Sequence, residues 1–304
     1  MLRLFYFFLI ALFVCFPDFA NAQAKPKRDV SKDKGRTAIY RKPTRKTISR
    51  NTSNVSSSVR EAYAVMSADE TLLTFYCDGR KKLRKGSSYS LNEGEDIPGW
   101  CKIENYVIAK SNVKTVVFDE SFKNATPLTC CQWFAGFGNL TAIKGIKYVN
   151  TEKVTNMYGM FDGCCSLTSL DLSSFDTESV TTMEYMFNGC SSLSELCIND
   201  FDTSNVKDMS WLFAGCNKLE SIELDGFETE NVTAMVEMFS GCNSLTTLDL
   251  SSFDILNVTE MREMFKDCSS LTKITVDDNF WKIKENADCD DMFSGCNANL
   301  ERLK

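Results

Sequence analysis

Histidine is absent from all 304 residues. Its absence removes His-based triads, imidazole general bases and His-ligated metals. Three other signatures are missing too: a G-x-S-x-G turn, an H-E-x-x-H helix and a phosphate-binding glycine loop. Beyond the N-terminal region no stretch has 18 consecutive apolar residues, and the final residues NANLERLK form no hydrophobic anchor. No recognisable wall-sorting signal or clear lipobox is present. The expectation is a chain without a transmembrane span and with few of the usual means of catalysis.

The N terminus reads as a secretory signal over residues 1–22. Arg3 supplies the positive start, LFYFFLIALFVCF the apolar run, and Ala20-Asn21-Ala22 a small-x-small cleavage site before Gln23. The run is too short for a comfortable membrane span. A rival reading lipidates Cys15, but Val14 is bulky where a lipobox carries a small residue. Export places the mature chain in a secreted or cell-surface setting.

Charge is divided along the chain. Residues 23–60 hold 12 Lys/Arg against two Asp, whereas residues 61–304 hold 21 Lys/Arg against 38 Asp/Glu. The basic segment has almost no apolar residues and cannot offset the entropy of ordering, so it reads as a disordered linker. Apart from Tyr40 it lacks aromatics for base stacking, so no nucleic-acid partner is expected. Electrostatic retention on an anionic surface through residues 23–60 fits its charge. Residues 61–128 read as a small β-rich N-terminal cap: AYAVMS and TLLTFYC form two strands around a tight turn, with a further strand at Val116–Phe118.

From residue 129 to 304 a 26-residue repeat takes over. Val154, Val180, Val206, Val232 and Val258 keep that spacing, as do Phe161, Phe187, Phe213, Phe239 and Phe265. A looser copy begins at Trp133-Phe134, and another ends at Cys296, as capping repeats do. Within a unit, Val232, Met235 and Met238/Phe239 recur every three to four residues, which predicts one face of a short helical segment. Gly241 is its expected stop and Asn231 or Thr233 its expected cap. Leu245, Leu248 and Leu250 then alternate towards a half-buried strand. The predicted fold is an α/β solenoid, a leucine-rich-repeat-like right-handed coil with one short parallel strand and one short helical segment per repeat.

Thirteen cysteines follow the signal. Cys164, Cys190, Cys216, Cys242, Cys268 and Cys296 hold one repeat position beside constant apolar neighbours, so they read as small buried hydrophobes. Cys77 with Cys101 is a candidate bridge. The methionines, at helical spacing, read as core.

The consensus V-T-x-M-x-x-M-F-x-G-C-x-x-L-x-x-L-x-L-S-x-F-D-T occurs as VTNMYGMFDGCCSLTSLDLSSFDT at 154–177. It resembles the repeat of the BspA-like leucine-rich-repeat surface proteins. The lead-in TVVFDESFKNATPLTCCQWFAGFGNLTAIKGIKYVNT at 115–151 looks like that family's as well. The resemblance implies a bacterial surface or secreted protein, with adhesion to host proteins or other cells among the family's roles. The family's repeat carries no catalytic residues, so none transfer.

If the strand leucines point inwards, alternate residues point out. Asp171, Glu195, Asn199, Glu223, Asp225, Asp249 and Asp277 then stack into a polar, acidic panel, the expected binding face for an extracellular protein or glycan. Calcium could gather on the same acids through oxygen ligands, although no cofactor is expected. The alternative is a carbohydrate-active enzyme that pairs carboxylates on adjacent rungs. Asn231-Val-Thr and Asn257-Val-Thr match the glycosylation pattern, but Asn205-Val-Lys keeps the Asn without it, so the repeat explains them better.

Overall fold

A computed structural model describes residues 60–92, 94, 97–101, 112–277 and 287–302. The expected signal segment, and all of the expected linker except Arg60, lie outside the described residues.

Residues 129–277 and 287–302 coil as a β-solenoid. A parallel column of single bridges runs Thr129–Asn156–Thr182–Asp208–Ala234–Glu260–Asp288, one step per repeat. On the other wall lie short parallel strands: β5 (Ala142–Lys144), β6 (Ser169–Asp171), β7 (Glu195–Cys197), β8 (Thr247–Leu250), β9 (Lys273–Val276) and β10 (Asn299–Arg302). β6 pairs with β7 in the register Leu170↔Leu196, and β9 lies between β8 and β10 with Leu248↔Ile274.

The expected helical segment is not there. The Met-Phe stretch is a run of tight turns, and its amides alternate between two uses. In the second rung Met157, Gly159, Phe161 and Gly163 donate to Thr182, Glu184, Met186 and Asn188 of the next rung, at 2.7–3.1 Å. The amides between them bond back three residues: Met160 to Met157, Asp162 to Gly159 and Cys164 to Phe161. A helix would turn every amide inward upon its own chain. The obstacle is backbone geometry. Two positions per rung adopt left-handed φ: Tyr185 and Gly189 at 59° and 67°, Trp211 and Gly215 at 57° and 70°, Glu237 and Gly241 at 51° and 72°. Repeated turns give the same three-residue spacing as a helix, which is why the periodicity misleads. Nor do the expected caps act as caps. Asn231 Nδ2 donates to the Ser204 carbonyl at 2.9 Å and Thr233 Oγ1 to the Lys207 carbonyl at 3.2 Å, both one rung back.

Side chains stack in columns between the walls. Phe134, Phe161, Phe187, Phe213, Phe239, Phe265 and Phe293 follow one another at centroid spacings of 5.3–5.8 Å. Each buried thiol from Cys164 to Cys268 donates to a Phe carbonyl one rung back, as Cys216 does to Phe187 at 3.3 Å. Burial pushes these thiols upward, to about 12 for Cys268, and keeps them protonated and unreactive at neutral pH. Thr177, Thr203 and Thr229 are buried and donate to carbonyls of the next rung at 2.8–2.9 Å; Ile255 ends that column.

The N-terminal end is closed by β1 (Glu61–Met66), β2 (Leu72–Asp78), β3 (Ser87–Ser90) and β4 (Thr115–Phe118), in the sheet order β3-β1-β2-β4-β5. β5 belongs to the first degenerate repeat, so this sheet runs past residue 128 into the strand wall. Phe75 packs against Phe118, Trp133 and Phe134, which joins the sheet's aromatic cluster to the Phe column. Cys77 and Cys101 are both free, buried thiols, so the candidate bridge between them is not formed. Cys101 packs with its sulfur on the Gln132 and Trp133 carbonyls instead.

The left-handed positions make a stability test. At Gly215 a Cβ would sit 3.4 Å from the Gly189 Cα as well as at a φ of 70°, so Gly215→Ala should cost about 1–2 kcal/mol. Asp267 holds the equivalent site at a φ of 57°, and Asp267→Gly should gain about 1 kcal/mol. Urea midpoints moving the same way for both variants would contradict the account.

Candidate functional site

Two surfaces of the solenoid carry polar chemistry. The first is the strand wall. Alternation along β6 to β9 buries Leu170, Leu172, Leu248, Leu250, Ile274 and Val276 and turns their neighbours to solvent. Asp171, Glu195, Asn199, Glu223, Asp225 and Asp249 are exposed, and Asp277 is half-buried. Parallel pairing sets Ser169 opposite Glu195 and Asp171 opposite Cys197, then Thr247 opposite Lys273 and Asp249 opposite Thr275.

The panel is uneven. Among the described residues the rung at Ser221–Asp225 forms no strand, and it separates β6–β7 from β8–β10. That rung carries Glu223, followed one repeat later by Asp249 in the same outward column, and like charges at ladder spacing repel. Asn199 Nδ2 bridges to Glu223 Oε2 at 2.6 Å. Asp171 accepts from the Ser173 hydroxyl at 2.7 Å and its amide at 3.0 Å, which hold the carboxyl below its ordinary range. Negative charge accumulates along the middle of the coil: residues 154–260 contain two Lys/Arg and 18 Asp/Glu. Among the described residues no three acids or cysteines converge on a point that would hold a metal ion. Along the strand wall the acids alternate with uncharged residues such as Cys197 and Thr275, and of the seven panel residues only the acids Glu223 and Asp249 follow each other on consecutive rungs of one column.

The second surface is the turn wall, which the periodic reading of the sequence passed over as core. Tyr185 and Trp211 stack there with centroids 4.7 Å apart, and Tyr158 packs on Tyr185 at 5.4 Å with its ring tilted by 53°. Below them come Glu237 and Glu263, the latter bridged to Lys266 at 2.6 Å. Tyr185 and Trp211 cover each other's inner faces, so the aromatics pack as a spine along the wall. Asp162 lies recessed beside them and accepts from Asn188 Nδ2 at 2.7 Å. Burial pushes its carboxyl up to about 7, against the smaller opposing effect of that hydrogen bond. Burial, and then the Glu263 carboxylate, also raise Glu237. The sequence signal for this wall was the pair of residues between the two methionines, YG, EY, SW, VE and RE in successive repeats.

A family model described as "Mycoplasma protein of unknown function, DUF285" matches residues 129–224 and 194–304. The chain belongs to this family. The match covers the turn walls and strand walls described above, so these repeats are DUF285 repeats. Among solved structures, the chain is similar to the T. pallidum leucine-rich-repeat protein TpLRR, with 15% identity and a TM-score of 0.34 over 82% of this chain and 81% of that one. It is also similar to a leucine-rich-repeat protein from Eubacterium ventriosum ATCC 27560, with 14% identity and a TM-score of 0.24 over 81% and 84%. No curated protein matches it.

Asp162 gives the turn wall a pH signature. Its folded-state pKa is raised, so the carboxyl favours folding below its unfolded value. That contribution is lost as pH climbs towards about 7. Asp162→Asn keeps the acceptor for Asn188 and removes the charge. It should stabilise the protein by about 1–2 kcal/mol at pH ~8 and be near neutral at pH ~4. Urea midpoints at the two pH values check this, and an equal effect at both would contradict it.

Proposed function

We propose that this DUF285 chain is a non-catalytic, exported binding protein of the BspA-like leucine-rich-repeat type. In this reading it meets an extracellular protein or glycan through its acidic strand wall. The observation that carries the reading is register: the solenoid turns the same strand positions outward rung by rung, from Asp171 to Asp249, and keeps them exposed. An extended surface of this kind binds by spanning several rungs, and each rung contributes a small share. The charge of the middle repeats favours a partner with a basic surface. Export is supported by the apolar run and small-x-small site within residues 1–22.

A carbohydrate-active enzyme needs two carboxylates at a set separation, one of them with a raised pKa. The raised acids, Asp162 and Glu237, lie on the turn wall, while Asp171 on the strand wall is lowered. This separation favours the binder.

The test uses the chain from Gln23, immobilised and probed with extracellular-matrix proteins, mucins and bacterial surface glycans. For any probe captured, the triple variant Asp171→Asn, Glu223→Gln, Asp249→Asn should bind at least about tenfold more weakly with an unchanged thermal midpoint. Undiminished capture would remove the strand wall as the site. Release of reducing sugar from a glycan probe would move the reading to the enzyme.

A further inference from the structure

The outer face of the N-terminal sheet carries a feature that the binding wall does not explain. Tyr63 and Val65 of β1 pair with Tyr76 and Thr74 of β2 and lie on the face turned away from the Phe75 cluster. Both are nonetheless buried, at 0% and 6% exposure. What covers them is the connection to β3, residues 79–86, reading GRKKLRKG. Five cations in six residues are unusual cover for an apolar face.

Two of those cations fix the flap. Lys81 bonds Glu61 at 2.7 Å and lies over the Tyr63 ring. Arg84 bonds Asp78 at 2.7 Å and lies 3.7 Å from the centroid of Tyr76. Gly86, at a φ of 115°, lets the chain close on β1, and a Cβ there would collide with the Met66 carbonyl oxygen. The remaining residues turn outward. Arg80, Lys82 and Lys85 are exposed, and none of the three has an acidic side-chain partner among the described residues. Leu83, between them, is 79% exposed. It borders a recess of about 330 Å³ shared with Val65, Leu72, Tyr76, Arg84 and Lys85.

A held loop that ranges three cations around one exposed leucine has the chemistry of a lipid interface. The cations meet anionic headgroups and the leucine meets the acyl boundary. Position supports the same partner. Glu61 pairs with Asp78, so the basic residues 23–60, with their 12 Lys/Arg, join the sheet beside the start of the flap. We infer that residues 80–85 form a membrane-contact flap that seats the N-terminal end of the protein on an anionic phospholipid surface.

The experiment measures partition of the chain from Gln23, which lacks none of the described residues, onto vesicles of phosphatidylglycerol mixed with phosphatidylcholine. Three variants are compared: Arg80→Ser/Lys82→Ser/Lys85→Ser, Leu83→Ser and the strand-wall triple variant. The flap triple should partition about 100-fold more weakly, roughly fivefold for each charge near the surface. Leu83→Ser should lose about fivefold with the salt dependence unchanged. Vesicles of phosphatidylcholine alone should bind weakly, and the strand-wall triple should bind as the parent does. Equal partition of parent and flap triple, with both folded by circular dichroism, overturns the inference. So does capture on soluble polyglutamate that the flap triple abolishes while Leu83→Ser leaves vesicle binding intact, because the partner is then an acidic polymer.

Discussion

The fold depends on how the turn wall uses its amides. Every second N–H crosses to the next rung and the intervening one closes a turn within its own rung. This halves the hydrogen bonds available to stabilise an isolated repeat and commits the rest to a neighbour. The alternation requires left-handed backbone at two places per rung. Glycine fills one in most repeats, while Gln132, Tyr185, Trp211, Glu237, Glu263 and Asp291 occupy the other. Each of those six is a local cost of about 1–2 kcal/mol, which persists only because stacking offsets it. Stacking is therefore a condition of the repeat's local conformation, and a lone repeat would relax to something else.

Given that commitment, the constant residues each satisfy something a rung leaves open. Phe fills the centre, and its rings follow the rung spacing. Cys is small enough for the space beside Phe and brings a weak donor for the Phe carbonyl one rung back. Thr does the same with a stronger donor at the buried corner, and where Ile255 replaces it no donor has to be matched. Asn205, Asn231 and Asn257 reach the carbonyls of Glu178, Ser204 and Glu230 at the exposed corner. This structural duty accounts for the asparagines of the two apparent sequons. The outward strand residues carry few such obligations, and they differ from rung to rung.

This division explains what could be read from the chain alone. The strand wall was legible, because Leu248 and Leu250 alternate around Asp249 and alternation has one structural meaning. The turn wall was legible as core but not as conformation. Met235 and Met238 stand three apart both in a helix and in consecutive turns, and the deciding residue, Glu237, gives no sign that its φ is positive. Buried thiols were legible at Cys164 to Cys268 because they recur with the same neighbours. The pairing of Cys77 with Cys101 had only proximity in sequence behind it, and aromatic packing claims both. The flap at 79–86 was not legible, since nothing in GRKKLRKG reveals that Lys81 and Arg84 lie over Tyr63 and Tyr76.

Charge is partitioned along the same axis that the rungs build. Acids gathered on neighbouring rungs repel, and this cost grows with each copy added, yet residues 154–260 carry 18 acids against two bases. Solubility alone does not call for so one-sided a coil, because mixed charges would serve it with less self-repulsion. Residues 23–60 and the flap, both N-terminal to the repeats, instead hold 12 and five Lys/Arg. A coil of one sign with an end of the other has a preferred orientation near any anionic surface: the basic end is drawn in and the acidic coil is driven outward. The two polar surfaces can then act together. On the two proposals together, the basic end would set the molecule upright and the repelled coil would hold its strand wall away from the surface.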